Sequence, residues 1–351
     1  MPRRLFDGAW SDTLVAMTKP WPKKLPKKDP HPSDFSDLSV ETQRVVLLGE
    51  HVYFFVWCQD MDEFNNQLSV LFRAPIAFDR PAERVATIRS EIVDLLVHDG
   101  KLVALENGTD DDGGFGVAHR LAPGKSVPES SARFEVGKVF KALGHGPAGG
   151  LIAVGNAVQR FDRNAWAGTK VPNGIQFEAV ASNGQLTVAV GSEGAVFALD
   201  DGMRKIELPS EAIADFGGVY VDRDGIVSLA GGDVAWQGPI ERILPLEGSY
   251  DAMFNDCCVF QGKHYWSAVG GLYMQNGKKL ELVFDGESCF RLTPTDRHLF
   301  VASEAGVLRW DGEEWKALNT DYDEDASVWV VRPGPVAPDL EEDEDEDDGE
   351  A

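Results

Sequence analysis

No apolar run in this chain approaches the roughly 18–20 residues of a membrane-spanning helix, so no membrane association is expected. Cysteine is scarce. The four present, Cys58, Cys257, Cys258 and Cys289, show no metal-ligand spacing and sit inside apolar, strand-like runs. That excludes a paired-cysteine zinc site and reads as buried thiols in a reducing compartment. No Gly-rich phosphate loop and no Gly-x-Ser-x-Gly elbow occurs, so no cofactor is expected. Helical periodicity is nearly absent. Near the start, Arg3 and Arg4 are followed by Asp7 and Asp12 where a secretory signal would place apolar residues. The chain therefore reads as cytoplasmic. Bases are missing from Asp339–Glu350, which holds ten acids; the rest of the chain carries −15 of the net −25. Such a balance disfavours nucleic-acid phosphates and favours basic partners.

Turn residues, by contrast, are plentiful, with 36 glycines and 19 prolines in 351 residues. A chain this long exceeds one simple core and calls for two domains or a repeat. Residues 1–39 form an N-terminal segment whose "KPWPKKLPKKDPHP" (19–32) holds five prolines and five lysines, the composition of an extended surface linker. Residues 337–351 form an acidic tail expected to be disordered, since its charges repel and nothing there can be buried.

Between these segments, over 40–336, one phrase recurs: an apolar strand, a turn of Gly, Asp or Asn, and a second strand rich in small residues. It reads "RVVLLGEHVYFFVW", "IVDLLVHDGKLVAL", "FEAVASNGQLTVAVG", "GVYVDRDGIVSLAG" and "FRLTPTDRHLFVAS", with two looser copies. Successive copies lie 35 to 50 residues apart, each gap holding a further hairpin. Four short strands per period near 40 is how a β-propeller blade is written. The layout resembles WD40- and kelch-like propellers over residues 40–331. It carries neither family's signature, so the resemblance implies a fold and assigns no functional residue.

The expected fold is all-β, a seven-bladed β-propeller. The small residues of "LIAVG", "LTVAVG" and "LFVAS" place the strand after each turn innermost, where a wedge-shaped blade has least room. "LFDGAW" (5–10) repeats the hairpin of "LRWDGEEW" (308–315) and suggests an N-terminal partial blade with "QRVVLL" as its outer strand. That unit either closes the ring against the last blade or builds an eighth blade with "SVWVV" (327–331) as its inner strand.

Alternating strand direction then sorts the loops onto two faces. One face gathers acids: Asp60, Asp62 and Glu63 in the first blade, Asp110, Asp111 and Asp112 in the second, and Asp321, Asp323, Glu324 and Asp325 in the last. Closure of the ring makes these blades neighbours, so the acids form one sector suited to a basic protein. "DYDED" alternates as calcium loops do, but lacks their Gly and their terminal Glu. The other face mixes Arg80, Arg204, Lys205, Lys278 and Lys279 with acids. It also carries His51, His98, His145, His264 and His298 near the channel, where blades can converge ligands. The expected function is non-enzymatic capture of a basic partner by a monomer, in its narrower form an immunity-type neutralisation. The alternatives are a hydrolase or lyase using the histidine rim, and a structural scaffold.

Overall fold

The fold is known from a computed structural model, which describes Trp21 and residues 25–336 apart from 63–66, 111–112, 135–137, 147–148, 163–164, 170, 173, 200–201, 210–213 and 248–251. Among the described residues the strands form seven antiparallel meanders, six of four strands and one of five. They are the blades of a seven-bladed β-propeller. The seven inner strands are Leu38–Leu48, Glu91–His98, Phe140–His145, Phe177–Ser182, Phe216–Val221, Phe254–Phe260 and Cys289–Pro294. Each packs against the next, and the last packs against the first.

The inner strand is the one before each turn, which corrects the reading of the small-residue runs. Those runs are the second strands. Leu151–Gly155, Thr187–Gly191 and Leu299–Ser303 are buried at every position. A second strand has a strand on either side and a blade above and below, so it has less room than the strand edging the channel. The closing glycines mark the tightest points. A Cβ on Gly191 would lie 1.9 Å from Gln176 O, and one on Gly231 would lie 2.3 Å from Asp215 O. "QRVVLL" therefore belongs to the inner strand of the first blade, not to the outer strand of a partial one.

Every inner strand also carries a β-bulge at an equivalent level. The register shifts fall at Thr42/Val45, Ile92/Asp94, Phe177/Ala179, Phe216/Gly218, Phe254/Asp256 and Cys289/Arg291, and in the third blade opposite Val154/Gly155. A bulge inserts an unpaired residue and bends the strand.

The core is divided among the blade junctions. Phe54, Phe72 and Val70 of the first blade meet Phe300, Val307 and Leu318 of the last. Val188 and Val196 of the fourth meet Val227 and Trp236 of the fifth. At about 1.5–3 kcal/mol for each large apolar side chain fully buried, each junction is a substantial interface. All four thiols are free and buried in these layers. Burial raises the thiol pKa of all four, that of Cys289 to about 12, so none is a thiolate near neutrality.

Closure of the ring follows the seven-bladed expectation and not the eight-bladed alternative. "SVWVV" lies in Val328–Gly334, which pairs with Trp315–Asp323 as a fifth strand of the last blade. Ala82 N donates to Val331 O at 2.9 Å and joins that strand to the first blade. Residues 25–37 form a strap across the same junction. Asp29 N donates to Ser327 O (2.9 Å), and Trp329 N donates to Asp29 Oδ2 (3.0 Å). Arg84 of the first blade donates to both Asp29 oxygens, at 2.6 and 2.8 Å. Phe35 is buried between the two blades. Residues 5–10 and the acidic tail lie outside the described residues.

Candidate functional site

First-to-second and third-to-fourth strand turns define an upper face. Second-to-third turns, the connections between blades and the turn before the fifth strand define a lower one. Those acids singled out in the sequence that are among the described residues belong to the lower face, but their environments differ. Asp60 is buried and serves as a cap. It accepts from Ser36 N (2.9 Å), Ser36 Oγ (2.8 Å) and Asp62 N (3.0 Å), fastening the strap to the first blade. Asp323 takes Ala326 N at 2.9 Å and pairs with Arg332, which shapes the turn before the fifth strand. Glu324 lies 2.9 Å from His31 Nε2 and fastens the strap to the last blade.

Residues 29–37 thus physically join the acidic turns of the last and first blades. Asp62, Asp321 and Asp325 are exposed. Asp110 ends the second strand of its blade, where its main chain faces Gly113. Glu63, Asp111 and Asp112 lie outside the described residues.

Acidity on this face extends well beyond the expected sector. Exposed carboxylates at its turns and connections include Asp34, Asp37, Glu193, Glu207, Asp215, Asp233, Glu247, Asp285 and Glu304. They run from the fourth blade round through the seventh to the strap that precedes the first. Among the described residues the bases beside them include Lys27, Lys28, Arg89, Arg133, Lys138 and Arg332, the last paired with Asp323. The upper face is mixed, with Arg80, Arg204, Lys205, Arg223, Arg242, Lys263, Lys278, Lys279 and Arg297 set among its acids. Reading the acids as clusters in three loops missed this asymmetry. Its signal was present, one or two acids at nearly every lower turn, but each occurrence alone looked like an ordinary polar turn.

The five histidines all sit at first-to-second strand turns on the upper face, one strand position later in the blade than their expected junction. Two approach each other, with the His98 and His145 rings 6.2 Å apart. Burial lowers the pKa of His145, and the neighbouring His98 lowers it further. Burial also lowers that of His98, partly opposed by Asp99. His264 stacks beside Trp266 and His298 beside Phe300. Among the described residues no three His, Cys, Asp or Glu side chains come together as metal ligands.

A further cluster went unnoticed in the sequence because its members are far apart along the chain. Glu106 Oε2 receives Trp21 Nε1 (3.1 Å) and lies 2.5 Å from His119 Nε2, whose Nδ1 lies 2.7 Å from Ser131 Oγ. Trp21, Glu106 and His119 are all buried. The network pins Trp21 to the second blade.

No family model and no curated protein matches the chain. Solved structures do resemble it. The WD40 β-propeller domain of Doa1 shares 11% identity and a TM-score of 0.59, covering 80% of this chain and 98% of that one. The β-propeller domain of the Trilobed protease from Pyrococcus furiosus, described as having an open velcro topology, shares 12% identity and a TM-score of 0.51, over 79% and 95%. The extracellular domain of the one component system BT4673 from B. thetaiotaomicron shares 10% identity and a TM-score of 0.55. The match covers 80% of this chain and spans only 39% of that one. At such identities the likeness is one of fold.

Proposed function

We propose that this propeller is a protein-binding module that docks a basic partner on its lower face. The observation that carries the reading is the difference between the faces, one lined by exposed carboxylates from the first, fourth, fifth, sixth and seventh blades and the other mixed in sign. A single exposed charge pair contributes about 0–1 kcal/mol. Many charges of one sign on a rigid surface act differently: their summed field raises the encounter rate with a cationic protein. The inter-blade cores hold the turns in fixed positions, so shape can select among basic partners. Neutralising a basic toxin, as an immunity protein does, is the narrower form of this reading; it predicts that co-expression suppresses the toxicity of the captured protein.

The test reverses charge at Asp62, Asp233, Glu304 and Asp325 and leaves Asp60, Asp323 and Glu324 intact because they hold the fold. Protein captured from lysate at low and high salt is identified by mass spectrometry. Wild type should retain a basic protein at low salt, and the reversed variant should lose it with an unchanged melting temperature. Association should slow more than dissociation quickens. Equal capture by the reversed variant would overturn the reading.

A further inference from the structure

Above the level of the inner-strand bulges, the central channel opens to the upper face as a cavity of about 430 Å³. That volume lies within the range of small-molecule sites. Its lining is more apolar than polar, with Val46, Leu96, Leu143, Val180 and Leu292 from five different blades set beside His145, Ser182, Thr293 and Thr295. The one permanently charged side chain lining it is Arg44. Arg44 leaves its strand at the bulge between Thr42 and Val45, on the inner edge of the first blade.

The Nε of Arg44 is ion-paired with Asp94 Oδ1 at 3.2 Å, and the side chain is 26% exposed. The rest of its guanidinium makes no hydrogen bond among the described residues. Arg291 and Arg309 instead donate from a terminal nitrogen to main-chain carbonyls, Gly217 O and Ile76 O, both at 2.7 Å. A guanidinium is a rigid fork of five N–H donors, and the terminal nitrogens of Arg44 are open to the cavity.

The nearby carboxylates are already engaged by main chain. Asp94 accepts from Leu95 N (2.8 Å) and Leu143 N (2.7 Å), and Asp256 from Cys257 N (2.9 Å) and Leu292 N (3.0 Å). Burial works against the charge on Arg44, and these two aspartates more than restore it.

We infer that the channel is a binding cup for a ligand with an apolar body and a terminal carboxylate, the carboxylate paired with the fork of Arg44. A planar fork matches a carboxylate through two parallel hydrogen bonds, and the apolar walls take the body of the ligand out of water. The carboxylate can come from a free aliphatic acid or from the C-terminus of a peptide ending in an apolar residue. This inference is independent of the lower-face reading.

The test titrates the full-length chain calorimetrically with hexanoate, with an acetylated peptide ending in Ala-Leu, and with the matched amide of each. At least one acid should bind, and its amide should bind about tenfold more weakly or worse. Arg44→Lys keeps a positive charge facing Asp94 but loses the fork, so it should bring the acid down towards its amide. Should that variant fold poorly, Ala181→Phe narrows the cup without touching the arginine and should weaken acid and amide together. Binding of hexanoate identifies a free acid as the source; binding of the peptide alone identifies a chain terminus. The inference is overturned if neither acid binds at millimolar concentration, if acid and amide bind alike, or if Arg44→Lys retains wild-type affinity.

Discussion

Glu106 shows how a single residue can be misjudged without its neighbours. In the sequence it is one acid among many; in the fold it is 6% exposed, between Trp21 Nε1 and the His119 ring. Burial alone would raise its pKa, but the His119 contact and the Trp21 N–H outweigh that and hold it below the ordinary carboxylate value of 4.5. A depressed acid stabilises the fold above its unfolded value and loses that contribution as pH falls through its folded value. Glu106→Gln should therefore lower stability at pH 7 by about 1–3 kcal/mol, since a buried partner is left unmet. Urea midpoints should also show a weaker fall than wild type between roughly pH 4.5 and more acidic values, where the native carboxylate protonates. A parallel pH dependence in both proteins would remove Glu106 from this role. The acids singled out in the sequence divide on the same principle: Asp60 caps the strap, whereas Asp62 faces solvent.

Among elements, the strap and the fifth strand decide how the ring closes. Exposed pairs such as Lys205–Glu207 contribute about 0–1 kcal/mol each. The Asp29–Arg84 pair is different, with side chains 0% and 15% exposed. Burial raises the pKa of the Asp29 carboxyl despite the Trp329 N–H and Arg84, so the pair exists at an appreciable desolvation cost. Removing only one partner is then expensive. Asp29→Ala should destabilise the protein by about 3–5 kcal/mol, leaving a buried guanidinium and the Trp329 N–H unmet. Asp29→Asn, which can still accept from Trp329 N, should cost less. Adding Arg84→Leu to Asp29→Ala should recover part of the loss. Denaturant unfolding of the three variants checks this order. Strand pairs, hairpin turns and the repeat were legible because alternation and turn chemistry are local. The strap was not, because prolines and lysines give the same linker-like reading whether or not a distant carboxylate pocket awaits them.

At the scale of the whole molecule, seven contiguous meanders close a ring whose two faces differ in charge. The last strand, Val328–Gly334, runs from the lower face to the upper and ends opposite Ala317, so the chain leaves the described fold on the side away from the acidic face. Deleting residues 337–351 removes ten acids and none of the side chains in the inter-blade cores. The melting temperature should stay nearly constant, and capture of a basic partner should persist with a modestly slower association rate. A loss beyond about 1 kcal/mol would show that the tail docks on the fold.

The sequence by itself determined the all-β class, the seven repeated units, the burial of the four thiols and the acidic balance. These follow from residue type and from patterns a few positions long. Only the tertiary structure decided which strand edges the channel, which carboxylates cap the chain and which face solvent, and where the ends of the ring meet. An apolar strand before a turn and one after it expose the same alternation. What separates them is whether the next blade, the channel or a strap lies alongside, and those neighbours come from sequence far away. Arg44 is the plainest instance: one arginine in a strand by its sequence, and by its bulge and the closure of the ring a guanidinium beside Asp94 in the wall of the central cavity.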